Sequence, residues 1–138
     1  MSIKVKHLAE IALVVRDVAE AERFYNGVLG FPVVRREPGK TILLRLGTSF
    51  LGLYAPGVRP DDVGHWGKNV HFVIFIDPDS VDEAVRTLKE NNVTFWGPRD
   101  AHGEIHIDFL DPFGHAPEFW ARKNFKYIHG SLPGSMDD

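Results

Sequence analysis

The sequence predicts an α+β fold made of two tandem βαβββ modules. Three observations predict it: a strand–helix–three-strand order occurs twice with a period of roughly sixty residues, each copy opens on a short apolar run headed by a polar residue, and each helix start carries a capping signal.

The first run is Glu10-Ile11-Ala12-Leu13-Val14-Val15, apolar, rich in β-branched residues and short enough for a buried strand. Asp17-Val18-Ala19-Glu20 then starts a helix, with Asp17 as N-cap and a glutamate three residues on. Val18, Ala21, Phe24 or Tyr25, and Val28 keep helical spacing, and Gly30 stands at the C-terminal stop. Phe31 to Arg35, Thr41 to Leu46 and Phe50 to Tyr54 read as three strands, parted by Pro38-Gly39 and Gly47-Thr48-Ser49. This first module covers about residues 7–56, and the Gly-, Pro- and Asp-rich stretch 57–68 reads as a linker. The second module, about 69–122, repeats the order. Val70 to Asp77 is a strand, and Ser80-Val81-Asp82-Glu83 is a capping box opening a helix with Val81, Ala84, Val85 and Leu88 on its core face. Asn91 and Asn92 suit its left-handed end, and Val93 to Trp96, Glu104 to Leu110 and His115 to Trp120 are strands. Residues 123–138, with Gly-Ser, Pro-Gly and a terminal Asp-Asp, read as a tail with Phe125 and Tyr127 as its anchors.

At 138 residues the chain is one domain by size. Its net charge of −3 offers no electrostatic footprint for nucleic acid, and no Lys/Arg block suggests an anionic membrane, so a small-molecule partner is expected. Without cysteine, thiolate nucleophiles and Cys-zinc sites are excluded, any metal must be held by His, Asp and Glu, and a reducing cytoplasm is compatible. Met1 to Lys6 leads into no apolar stretch of signal-peptide length. The expectation is a soluble, cytoplasmic protein.

The stretch Asp111-Pro112-Phe113-Gly114-His115-Ala116-Pro117-Glu118-Phe119-Trp120 combines a turn with a strand that carries an out-of-place carboxylate. Glu118 either faces solvent on a half-buried strand or is compensated, most sharply by a metal. Aligning the modules places Glu10 opposite His71 at the heads of the opening strands and Gly52 opposite Glu118 in the last strands. Twofold symmetry would bring Glu10, His71 and Glu118 to a common site with the fourth position empty. Each residue alone also suits a solvated strand end.

Ile11-Ala12-Leu13-Val14-Val15-Arg16-Asp17, Phe24-Tyr25 with Leu29-Gly30-Phe31, and Asp111-Pro112-Phe113-Gly114 followed by Glu118 resemble the vicinal oxygen chelate superfamily of glyoxalases, extradiol dioxygenases and bleomycin-resistance proteins, over about residues 7–122. The resemblance implies that the modules form a partly open, barrel-like mixed sheet with helices outside. It also implies one divalent ion per chain (Mn, Fe, Zn or Ni) on Glu10, His71 and Glu118, and a homodimer, since members commonly pair. Glu10 departs from the usual His or Gln, Gly52 from the fourth glutamate of four-ligand members, and Pro117 removes an N–H where a strand residue is expected. The implied function is a metal-dependent enzyme that chelates vicinal oxygens of a small-molecule substrate, with isomerase, lyase or dioxygenase chemistry. The alternative is a metal-free binding protein of the bleomycin-resistance type. Fosfomycin inactivation ranks low, because Ala12 stands where that group has threonine and Asn124 where it has arginine.

In the strand from Glu104 to Leu110, Ile105, Ile107 and Phe109 alternate with Glu104, His106 and Asp108. The family uses the latter face to line its cavity, which makes His106 and Asp108 candidate acid–base groups; an ordinary solvated face is the other reading. Arg45 holds a similar place in module one and suits an anionic substrate, while Phe50, Phe75, Trp96 and Trp120 can wall a ligand. The remaining histidines, His7, His65, His102, His115 and His129, fall in or near loops and receive no role.

Overall fold

The computed structural model describes residues 3–59, 70–101 and 103–122. Module one is β1 (Glu10–Val14), α1 (Val18–Glu22) running on into a π-helical segment (Arg23–Val28), β2 (Val33–Glu37), β3 (Thr41–Leu46) and β4 (Ser49–Tyr54). Module two is β5 (His71–Ile76), a 3₁₀ turn (Pro78–Ser80), α2 (Val81–Glu90), β6 (Phe95–Ala101), β7 (Glu104–Phe109) and β8 (Ala116–Ala121). Each module makes a four-stranded mixed sheet, ordered β1-β4-β3-β2 and β5-β8-β7-β6, in which the first and last strands pair in parallel and the others antiparallel. The α+β class and the duplicated βαβββ order are those the sequence predicts. Beyond Arg59 the expected linker lies outside the described residues, as do the tail, Asn124, His65, His102 and His129.

The chain divides into two compact units: module one together with the turn Asp111–His115, and the remainder of module two. In the first, Asp17 caps α1, its carboxylate accepting from Glu20 N–H at 3.0 Å. Helical spacing leaves open which of Phe24 and Tyr25 is buried, and both are. The helix widens after Glu22, with Leu29 N–H donating to the carbonyl of Phe24 five residues back at 3.0 Å. A wider turn sets neighbouring side chains at a smaller angle, so two adjacent rings reach the core, edge to face at 5.0 Å. Gly30, at φ 79°, ends the segment.

Helix α1 packs on β3 and β4, covering Ile42, Leu44, Leu51 and Leu53. Tyr25 and the turn at Asp111 lock together beneath it. The Tyr25 hydroxyl donates to Asp111 Oδ2 at 2.6 Å, and Asp111 Oδ1 accepts from the N–H groups of Phe113 and His115, both at 2.8 Å. Arg16 donates to the Pro112 carbonyl and lies over the Phe113 ring. His115, given no role from the sequence, is 2% exposed and bonded through its ring nitrogens to the Val14 carbonyl and Val70 N–H.

Module two departs from the sequence reading at its helix start. Ser80 makes no side-chain cap; Asp77 instead accepts from Asp79 N–H at 2.9 Å and starts a 3₁₀ turn with Pro78 at its head. Proline one residue after the aspartate preorganises that earlier turn. Val81 and Leu88 of α2 are buried while Ala84 and Val85 are partly so, and Asn92 takes the left-handed end at φ 56°. Pro117 pairs with Phe72 of β5, and the β7 ladder stops at Asp108 opposite Glu118, one residue short of it. The missing N–H therefore falls outside that ladder.

Burial raises the Tyr25 hydroxyl well above its ordinary value, and the Asp111 carboxylate adds to this. A raised folded-state value means the contribution is complete below about pH 10 and is lost as pH rises, because the unfolded chain releases the proton first. Tyr25→Phe should cost about 1–3 kcal/mol at neutral pH by stranding Asp111 Oδ2. The gap to wild type should narrow above about pH 10, which urea unfolding at pH 8 and pH 11 will measure.

Candidate functional site

Strand register decides which side chains share a face, since paired residues point the same way. In module two one face carries Phe72, Ile107, Phe109 and Phe119 into the core, with Ile74 partly buried beside Phe119. On the other, Glu118 pairs with Val73 and Asp108, and Trp120 with Phe75 and His106; His71 heads β5 on that side. Trp96 pairs with Asp108 and Arg99 with His106, across a bulge in β6.

This second face is not solvated at its centre. Glu118 is 5% exposed and His106 6%. Burying a carboxylate is costly unless donors surround it. Glu118 Oε2 takes a 2.6 Å contact from His106 Nδ1 and a very short hydrogen bond from Trp120 Nε1, while Oε1 lies 3.2 Å from His71 Nε2. Arg99 stands 4.0 Å from Glu118 and 3.1 Å from Asp108. The solvent-facing alternative for Glu118 is thus overturned: protein donors compensate it.

The two histidines are read from what surrounds them. His71 Nδ1 lies 2.8 Å from the Ala116 carbonyl, which can only accept, so Nδ1 carries the hydrogen and Nε2 is the ring nitrogen turned toward Glu118 Oε1. His106 Nε2 faces the Ala101 carbonyl at 3.2 Å and Glu104 at 3.7 Å. Acceptors on both sides of that ring call for a proton in each contact, one of them between Nδ1 and Glu118. Sequence alternation places His106 on this face but does not reveal that Glu104, 5% exposed, backs it, with Arg122 at 4.0 Å from Glu104. Trp120 packs at 5.1 Å from the His106 ring and 5.7 Å from Phe75, and Trp96 is 54% exposed.

In module one Glu10 pairs with Phe50, and Ala12 with Gly52. Glu10 Oε2 accepts from the Tyr54 hydroxyl at 2.9 Å, a partner that the sequence reading missed. Partial burial first, and then the Glu10 carboxylate, raise the Tyr54 hydroxyl above its usual value. Arg45, exposed, lies over the Phe50 ring at 5.1 Å.

Among the described residues no group of three or more His, Asp or Glu side chains stands ready to hold a metal ion. The second unit offers a two-donor corner, His71 and Glu118, and Glu10 belongs to the first unit. The corner suits an ion. Ligands at right angles with bonds of about 2.1–2.2 Å stand about 3.0 Å apart, and His71 Nε2 and Glu118 Oε1 are 3.2 Å apart. A proton on Nε2 or a cation between the two atoms satisfies this contact.

The family profile of the Glyoxalase/Bleomycin resistance protein/Dioxygenase superfamily matches residues 5–119. The chain belongs to this superfamily. Among solved structures, this glyoxalase-superfamily chain is similar to a lactoylglutathione lyase from Agrobacterium tumefaciens, at 25% identity and TM-score 0.71 over 86% of this chain and 96% of that one. A glyoxalase/dioxygenase from Nostoc punctiforme matches at 23% identity and TM-score 0.71, covering 90% and 99% of the two chains. A glyoxalase/bleomycin resistance protein/dioxygenase from Nocardioides matches at 22% and TM-score 0.69, covering 96% and 91%. The last two likenesses speak to the fold alone. No curated protein matches the chain.

Removing His106 should leave the buried Glu118 carboxylate short of its main partner. We expect His106→Leu to cost about 3–5 kcal/mol in chemical denaturation. Adding Glu118→Leu should recover part of that loss, because the stranded charge is then gone as well.

Proposed function

We propose that this protein is a metal-dependent enzyme of the glyoxalase/dioxygenase type that binds two neighbouring oxygens of a small molecule on one divalent ion, with isomerase, lyase or dioxygenase chemistry. The observation that carries the reading is the His71–Glu118 corner, whose imidazole Nε2 and carboxylate oxygen converge at 3.2 Å. In this proposal the two modules act as one domain and Glu10 is the third ligand. One imidazole with two carboxylates suits Mn, Fe, Zn or Ni by donor type. When bound, such an ion would polarise both substrate oxygens and ease removal of a proton beside them.

The chain's own groups do the rest. His106 holds a proton in its contact with Glu118 and is the candidate acid or base, together with Asp108, whose side chain is 30% exposed and steadied by Arg99. Phe75, Trp120 and Trp96 form an aromatic wall that excludes water from one side of a ligand. Arg45 and Phe50 offer a guanidinium and a ring to an anionic or planar group. Lack of cysteine and a net charge of −3 fit a cytoplasmic setting without nucleic-acid or membrane partners, and no described helix is long and apolar enough to cross a membrane. Membership of the superfamily suggests a homodimer.

A metal-free binding protein is the second reading. It is favoured by Glu118, which His106 and Trp120 already neutralise without an ion, and by the exposed Trp96 ring.

Metal analysis of protein purified without chelator separates the two. We expect about one divalent ion per chain, reduced in His71→Ala and Glu118→Ala; equal content in all three proteins would remove the site assignment. Small hydroxamates, catechols or 2-hydroxy ketones should bind the metal-loaded protein at least about tenfold more tightly than the stripped protein by calorimetry. Equal binding to both forms would leave the metal-free reading in place.

A further inference from the structure

The space over Gly52 is occupied. A Cβ built there would stand 2.1 Å from Glu10 Oε2, 3.0 Å from Glu10 Cδ and 2.6 Å from Tyr54 Cε1. Gly52 is not in a left-handed conformation, so its lack of a side chain serves this close approach and not a turn. Parallel register gives the position its meaning. Gly52 pairs with Ala12, two residues beyond Glu10, and Glu118 pairs with Val73, two residues beyond His71. Gly52 and Glu118 are therefore equivalent points in the two sheets.

We propose that Glu10 takes the place of the missing last-strand carboxylate of module one. Its side chain reaches from β1 across the parallel pair into the volume that the first carbon of a side chain on residue 52 would fill, and Tyr54 is the positioning residue that holds it there. The space beside the fourth position is thus taken by Glu10, the third ligand of the metal reading, and the number of ligands stays at three. Glu10 Oε2 is engaged by the Tyr54 hydroxyl at 2.9 Å, which leaves Oε1 as the donor atom and turns the carboxylate toward one-toothed ligation. A fourth ligand introduced at residue 52 would compete with Glu10 for one space and add no donor. As a statement about a ligand, the inference rests on the metal reading above; the placement over Gly52 stands without it.

Transposing the carboxylate tests both. Mn²⁺ binding to the full chain is measured by calorimetry for wild type, Glu10→Ala, Gly52→Glu and the double variant Glu10→Ala/Gly52→Glu. Glu10→Ala should weaken Mn²⁺ by at least about tenfold, and Tyr54→Phe by about tenfold. The double variant should regain most of what Glu10→Ala loses, while Gly52→Glu alone gains nothing over wild type. Glu10→Ala/Gly52→Asp covers the case in which the longer side chain disturbs folding. Tighter binding by Gly52→Glu, or doubles no better than Glu10→Ala, would overturn the proposal.

A second arm needs no metal. Gly52→Ala should lower the melting temperature of stripped wild type clearly and that of stripped Glu10→Ala much less, because the Tyr54 ring can swing aside once Glu10 is gone. Equal losses in the two backgrounds would overturn the placement. Absence of Mn²⁺ binding by wild type would instead defeat the metal reading, and the melting cycle would then decide the placement alone.

Discussion

A carboxylate at 5% exposure has to be neutralised by what surrounds it, and much of the polar chemistry of module two is arranged around that need at Glu118. His106, Trp120 and His71 all turn toward its oxygens, and Arg99 stands behind. Each of these partners is fixed by strand register and not by loop conformation: His106 and Trp120 pair across β7 and β8, and Asp108 pairs with Glu118 itself. A site built on paired strands is held more precisely than one on a loop. The two Glu118 oxygens are also unequal. Oε2 has two donors close by, His106 Nδ1 and Trp120 Nε1, while Oε1 faces His71 Nε2.

The stretch from Asp111 to Trp120 divides its labour in the same way. Asp111 and His115 spend their polar atoms inside the first unit, on Tyr25, on the turn's own N–H groups, on Val14 and on Val70. Three residues beyond His115, Glu118 belongs to the second unit. A mark of strong sequence character in this segment therefore has two separate physical causes.

Element type and order were legible because periodicity carries them: alternation marks β7, the 3.6-residue spacing marks α1 and α2, and glycine or asparagine marks their ends. Boundaries shifted where local chemistry competed. β2 begins at Val33 instead of Phe31, since the π-helical widening carries the helical segment to Val28 and Phe31 N–H closes onto the Tyr25 carbonyl. The Asp17 N-cap was read correctly and the capping box at Ser80 was not, because Asp77-Pro78 starts a turn three residues early. In the site, the face shared by Glu104, His106 and Asp108 was legible from period two, while Glu118 joins it through the β7–β8 register. Its burial was not, because alternation tells which residues share a face and not what covers that face. Tyr54 and His115 went unnoticed for a related reason: their partners lie 44 and 101 residues away.

The duplicated register explains how two modules with the same backbone plan hold different donors. In each, the first and last strands run parallel and the last-strand position pairs two residues beyond the opening polar residue. An imidazole at the head of β5 is short and is tied back to the Ala116 carbonyl, so a carboxylate on β8 fits beside it. A glutamate at the head of β1 is longer and unbranched, and reaches over the neighbouring strand as far as the Tyr54 hydroxyl. It can do so only if the position it crosses carries no Cβ. Glycine at 52 and glutamate at 10 are then one structural choice and not two separate departures from a four-ligand pattern. Either residue makes physical sense only in the presence of the other.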